Sequence, residues 1–90
     1  MTFSERLIEL RKARNLTQKQ VYEGVGMSML GYQRYEYGER EPSYQKLLSL
    51  ADYFGVSLDY LTGRSNCPDI IMLDEHGKPI VVEYMTPPEE

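Results

Sequence analysis

This chain of ninety residues has one cysteine, one histidine and little positive charge beyond its first two-thirds. A single cysteine, Cys67, excludes an internal disulfide. Without a CxxC partner, and with only His76 for company, it offers no metal set, so a cytosolic, metal-free and cofactor-free protein is expected. No apolar run is long enough to span a bilayer, and no basic-then-apolar leader opens the chain, so no membrane role is expected. No nucleophile, base and oxyanion-stabilising group come together, which argues against an enzyme. Gly24-Val25-Gly26 lacks a preceding strand and a following Gly-Lys, so it is no phosphate cradle.

The net charge of −4 is unevenly spread. Residues 1–65 hold nine Lys and Arg against eight acids, for +1, whereas residues 66–90 hold Lys78 against six acids, for −5. The acidity belongs to the tail. The first sixty-five residues are near neutral, a balance that permits nucleic-acid binding without requiring it.

What is abundant is helix punctuation. Thr2 with Glu5, or alternatively Ser4, can cap a first helix whose inner face carries Leu7, Leu10 and Ala13, ending near Asn15. Thr17-Gln18-Lys19-Gln20 has capping-box spacing, with Leu16 and Val21 as the hydrophobic staple, and Gly24 and Gly26 bracket the stop. Ser28 can cap a third helix, stapled by Met27 and Tyr32 and closed by Gly38. Pro42-Ser43 opens a fourth with Leu47, Leu50, Ala51 and Phe54 on one face, closed by Gly55. Val56-Ser57 starts a short fifth through Leu61, ended by Gly63.

After Gly63 the period changes. Ile70 to Leu73, then a turn over Asp74 to Pro79, then Ile80 to Met85 reads as strand, turn, strand, with Thr86 to Glu90 frayed. A lone hairpin is marginal in water, so this one should pack on the helices or on a second chain. The expected architecture is all-α, five helices over residues 1–65, followed by an acidic extension over 66–90 with a β-hairpin arm.

Leu16-Thr17-Gln18, Gly26-Met27-Ser28, Tyr35-Glu36-Tyr37-Gly38, Pro42-Ser43, Leu47, Ala51 and Gly55-Val56-Ser57-Leu58-Asp59-Tyr60-Leu61-Thr62-Gly63 form a spaced series. Together they strongly resemble the Cro/lambda-repressor (Xre) family over roughly residues 3–64. The resemblance implies a five-helix DNA-binding domain whose second and third helices form a helix-turn-helix, the third lying in the major groove. Gly26 then allows the sharp turn.

The same resemblance nominates Gln18, Ser28, Met29, Leu30, Gln33, Arg34 and Arg40 as DNA-binding residues. Gln18, at the first turn of helix two, would donate to a phosphate favoured by the helix N-terminus. Gln33 and Arg34 lie on the exposed face of helix three. Gln suits adenine N6 and N7 and Arg suits guanine O6 and N7, with phosphate contact by Arg34 the alternative. Arg11 and Glu36 match a largely buried salt bridge joining helices one and three, a structural role.

Three departures from the family pattern stand out. Met29 and Leu30 are apolar where polar base-reading residues are common; they can meet thymine methyl groups, form a protein-binding patch or tuck beneath the hairpin. The loop Gly38-Glu39-Arg40-Glu41 keeps one cation between two acids, which lowers the expected non-specific affinity. Tyr22 replaces a usually small residue, so its ring must displace the helices or turn outward. His76 reads as a turn residue and Cys67 as an incidental thiol.

Two functions follow. The first is a transcriptional regulator, a repressor of phage or prophage type, bound as a homodimer to a palindromic operator in double-stranded DNA, with the hairpin as the dimerisation element. The second is a protein-interaction module on the same fold, antirepressor or antitoxin-like, with weak or no DNA binding.

Overall fold

Each helix among the described residues begins on a hydroxyl side chain. Thr2, Thr17, Ser28, Ser43 and Ser57 sit in extended conformation, and each accepts a hydrogen bond from the backbone N–H three residues on. Such a cap satisfies one of the orphan donors of a helix start and contributes about 1 kcal/mol. The helices they open are α1 (Phe3–Ala13), α2 (Gln18–Val25), α3 (Met29–Glu36), α4 (Tyr44–Phe54) and α5 (Leu58–Leu61). Thr2 with Glu5 and Thr17 with Gln20 form reciprocal capping boxes, so the first helix uses Thr2 and not Ser4 as its cap. Ser4 instead donates its hydroxyl to the Tyr35 carbonyl at 2.9 Å, tying α1 to α3. These observations come from a computed structural model, which describes residues 1–73, 76 and 79–82, with side chains over 1–69 and at 76.

The five helices close around one apolar cluster. Leu7, Val21, Tyr32, Leu50, Phe54 and Leu61 are fully buried in it, with Leu10, Tyr35, Ala51 and Val56 at its margins. Leu16, Met27 and Leu47 pack against the cluster from outside, as the staple and stripe positions require. Fully burying side chains of this kind contributes about 1.5–3 kcal/mol each, which is what a small domain needs to offset its ordering entropy.

Three positions differ from the sequence expectation. Ala13, expected on the inner face, is exposed, because α1 turns into its C-cap at Arg14 before that face reaches the core. Gly24, expected to mark the end of α2, lies inside the helix, which runs on to Val25 and stops at Gly26. Its role is close approach: a Cβ there would stand 2.5 Å from Cε1 of Tyr53, so α4 packs where only hydrogen leaves room. Arg6, which no apolar pattern points to, is buried at 4% exposure.

Arg6 lies with Cζ 3.7 Å from the centroid of the Tyr60 ring, pairs with Glu9 at 2.9 Å, and donates to the Ser65 carbonyl and the Asn66 side chain at 3.4 and 3.3 Å. Arg14 likewise spends its guanidinium inward, on the Phe54 carbonyl. Beyond α5, the Ser57 N–H donates to the Pro68 carbonyl at 2.8 Å, fastening the segment that follows to the helices.

That segment leads to strands β1 (Ile70–Leu73) and β2 (Pro79–Val82), paired antiparallel with Ile70 opposite Val82 and Leu73 opposite Pro79. Pro79, expected in the turn, opens the second strand, a position where its missing N–H is tolerated. Asp74, Glu75, Gly77, Lys78 and Glu83 to Glu90 lie outside the described residues. His76 is exposed in a turn, and Cys67 is an exposed free thiol. Among the described residues, no helix is long and apolar enough to cross a membrane.

Candidate nucleic-acid interface

The turn between α2 and α3 is made by Gly26, which caps α2 at φ +85° in the left-handed region. No atom lies within 4 Å of the position a Cβ would take there, so the demand for glycine is conformational. The N–H groups of Gly26 and Met27 both donate to the Tyr22 carbonyl, at 3.0 and 2.8 Å, which ends α2 abruptly and starts α3 two residues later. Tyr22 itself is half-buried against the core, its ring 6.4 Å from that of Tyr32 and tilted 47°. Its ring is therefore neither fully buried nor turned fully outward, and it packs at the margin of the core.

The 3.6-residue period then sorts α3 into two faces. Tyr32, Tyr35 and Glu36 point inward and are buried. Met29, Leu30 and Tyr37 stand outward at 53%, 55% and 63% exposure, with Arg34 exposed among them and Gln33 half-buried at the edge facing α2. Ser28 is occupied as the N-cap, its hydroxyl oxygen accepting from the Gly31 N–H at 3.1 Å, which leaves its own O–H free to point outward. Arg40 is exposed between Glu39 and Glu41. Lys19, Arg34 and Arg40 form no ion pair with a described residue.

Beneath this surface lies a polar network centred on Glu36, whose side chain is 2% exposed. Arg11 donates Nε to Oε2 at 2.6 Å and Nη2 to Oε1 at 3.1 Å, and a third guanidinium nitrogen reaches the Leu16 carbonyl at 3.2 Å. The Tyr32 hydroxyl donates to Oε2, and Gln18 donates Nε2 to Oε1 at 2.9 Å. Four donors meet a carboxylate with about four lone-pair sites, so the buried charge is saturated. Burial acts to raise the Glu36 carboxyl, but the bonds from Arg11, Tyr32 and Gln18 overcome it and hold the group below the usual carboxylate range. Burial, and then the bond to Glu36, push the Tyr32 hydroxyl far above its ordinary value, and the bond to Glu36 raises Arg11.

The Arg11–Glu36 pair therefore joins α1 to α3, the arrangement that the family resemblance implies. Gln18, expected to donate to a phosphate, is engaged within the protein instead. Its amide turns inward to Glu36, and its Oε1 accepts from Nε2 of Gln33 at 3.2 Å. Sequence reasoning missed this link and the Tyr32 hydroxyl, although Tyr32 and Glu36 are spaced i, i+4 on one helix face, a signal that was available.

The arrangement defines a helix-turn-helix protein: a short helix with an open, N-capped end, a glycine turn, and a second helix laid across it with one face outward. Comparison with known proteins agrees. The helix-turn-helix family model HTH_3 matches residues 7–61. The cryptic phage CTXphi transcriptional repressor RstR of Vibrio cholerae is 42% identical over 64 residues, covering 71% of this chain and 57% of that one. An uncharacterised HTH-type regulator of Bacillus subtilis, YqaE, is 43% identical over 65 residues, covering 71% and 56%. Among solved structures, a transcriptional regulator from Listeria innocua superposes with a TM-score of 0.64 at 35% identity, over 69% of this chain and 58% of that one. The restriction-modification controller protein C.AhdI of Aeromonas hydrophila gives 0.62 at 30% identity, over 66% and 89%.

This chain thus belongs to the Cro/lambda-repressor (Xre) family of helix-turn-helix transcriptional regulators. It spans little more than half the length of the two curated relatives named here.

Proposed function

We propose that this protein is a sequence-specific DNA-binding regulator of transcription, a repressor of phage or prophage type, acting in the cytoplasm as a homodimer on a palindromic operator. The observation that carries the reading is the division of labour on α3. Its inward face is fully bound to the core and to the Glu36 network, while Met29, Leu30 and Arg34 are left outward with Gln33 half-buried at their edge. That is the residue complement of a helix that enters a major groove: a cation and an amide for base edges, and apolar groups for thymine methyls. Ser28 and Arg40 flank it as phosphate contacts. Gln18 keeps one amide hydrogen for a phosphate at the α2 N-terminus, where Lys19 is exposed beside it. The relative named a phage transcriptional repressor supports the same reading.

One recognition helix reads only a few base pairs, so two-fold pairing is the economical route to specificity. Residues 1–65 serve as the reading unit. The acidic extension, with the paired strands Ile70–Leu73 and Pro79–Val82, joins two copies on the side away from the DNA. Selection of bound sites from a random DNA pool tests the reading directly. A palindrome with half-sites about one helical turn apart is expected. Its absence, with Gln33→Ala and Arg34→Ala binding DNA as the parent does, refutes it.

A second reading, a protein-interaction module, is favoured by the exposure of Met29 and Leu30 and by the inward use of Arg6, Arg11 and Arg14. Passage through a heparin column without retention at low salt would support it over the first.

A further inference from the structure

The orientation of the Gln33 amide is set by a buried charge three residues on along the same helix, relayed through Gln18 of α2. A carboxylate only accepts hydrogen bonds, so the end of the Gln18 amide that meets Glu36 must be its NH2, as the 2.9 Å contact from Nε2 to Oε1 has it. The other end of that amide, Oε1, is thereby turned to Gln33. An amide oxygen is also only an acceptor, so Gln33 must answer with its own NH2, at 3.2 Å. Reversing either amide would bring two acceptors face to face, beside a carboxylate that Arg11, Tyr32 and Gln18 already saturate. Each step is forced by the one before it.

We infer that Glu36, acting through Gln18, fixes the donor–acceptor polarity of Gln33 and so makes this position of the recognition helix select adenine over guanine. Glu36 and Gln18 are positioning residues in this scheme, and Gln33 is the residue that touches the base. With one N–H committed to Gln18, Gln33 retains its Oε1 and one N–H. That pair matches the N6 donor and N7 acceptor of adenine. The reversed amide would offer two N–H groups outward, matching the O6 and N7 acceptors of guanine. The alternative occupation of the network, in which Gln18 serves only a phosphate, leaves the choice of base to Gln33 alone.

The inference rests on the DNA-binding reading, and the test separates the two. Gln18→Met keeps the length of the side chain and removes both of its polar ends. Wild type and variant are first compared by thermal unfolding, and then both are taken through site selection from a random pool. Gln33→Ala identifies the base pair that Gln33 faces. Wild type is expected to prefer adenine over guanine there by at least about tenfold, in line with the value of one bidentate contact. Gln18→Met is expected to bring that ratio to within about twofold while preferences elsewhere in the site persist.

A Gln18→Met protein that loses affinity uniformly, with the adenine preference intact, overturns the inference and leaves Gln18 a phosphate contact. A wild-type preference for guanine at that position overturns it as well. A wild-type protein that enriches no sequence refutes the DNA reading and with it the base preference. The amide lock is then judged alone by NMR on the free, full-length protein. One carboxamide proton of Gln33 should exchange slowly with solvent and become fast in Gln18→Met. Exchange at the rate of an unrestrained glutamine in wild type refutes the lock itself.

Discussion

Replacing Arg11 by methionine removes two of the four donors that hold the Glu36 carboxylate, the bonds of 2.6 and 3.1 Å, and keeps the bulk of the side chain. What remains is a charge 2% exposed, with only the Tyr32 hydroxyl and the Gln18 amide to replace water. Breaking a buried pair in this way costs about 3–5 kcal/mol, because the survivor keeps its desolvation penalty and loses its compensation. At about 4–8 °C per kcal/mol for a domain of this size, the unfolding midpoint should fall by about 12–40 °C. Urea or thermal unfolding followed by circular dichroism measures it.

The pH dependence gives the prediction its signature. In wild type, the Glu36 carboxyl is held below its ordinary range. Its contribution is complete above the unfolded value and is lost as pH falls through the lower folded value. Without Arg11, burial dominates and the carboxyl is expected to take up a proton more readily, which neutralises the stranded charge. The gap between Arg11→Met and wild type should therefore narrow between pH 7 and pH 5. A double change, Arg11→Met with Glu36→Met, should recover part of the loss, since removing both charges also removes the desolvation cost. A loss below about 1 kcal/mol at pH 7, the worth of one ordinary hydrogen bond, would refute the reasoning. So would a gap that stays constant with pH.

Three other outcomes follow from the same structure. Gly24→Ala should destabilise by about 1–3 kcal/mol through overpacking against the Tyr53 ring, and Tyr53→Leu should relieve it in the double variant, as denaturant titration will show. Arg6→Met should cost about 2 kcal/mol by removing a buried cation over Tyr60 and its bonds toward residues 65 and 66, without changing the operator sequence selected by the folded protein. Arg40→Ala should weaken all DNA sequences alike and lower the slope of log affinity against log salt by about one, while sparing site preference.

The helical frame was legible because its signals are local. Thr17 and Gln20 fall three apart before an apolar run, and the capping box they form depends on nothing beyond that turn. Ser28, Ser43 and Ser57 act in the same way, and Gly26 and Gly55 stand left-handed where a helix must stop. The outward set on α3 was legible from period alone, and the Arg11–Glu36 pair from the family pattern. Gly24 was misread because a glycine near a helix end suggests a stop. The real demand came from Tyr53, twenty-nine positions later in the chain and packed against it. The burial of Arg6 was not legible, since nothing in the hydrophobic pattern announces a buried guanidinium.

The sequence by itself determined where the chain turns helical, where each helix ends and which residues of α3 remain outward. Those properties follow from backbone donors, capping side chains and a 3.6-residue period, all of short range. Only the tertiary structure decided what the polar residues do. Gln18 faces inward because packing α1, α2 and α3 together buries a carboxylate that must find four donors, and Gln18 is the donor within reach. That long-range requirement orders Gln33 in turn, and it is invisible to any reading of the chain one segment at a time.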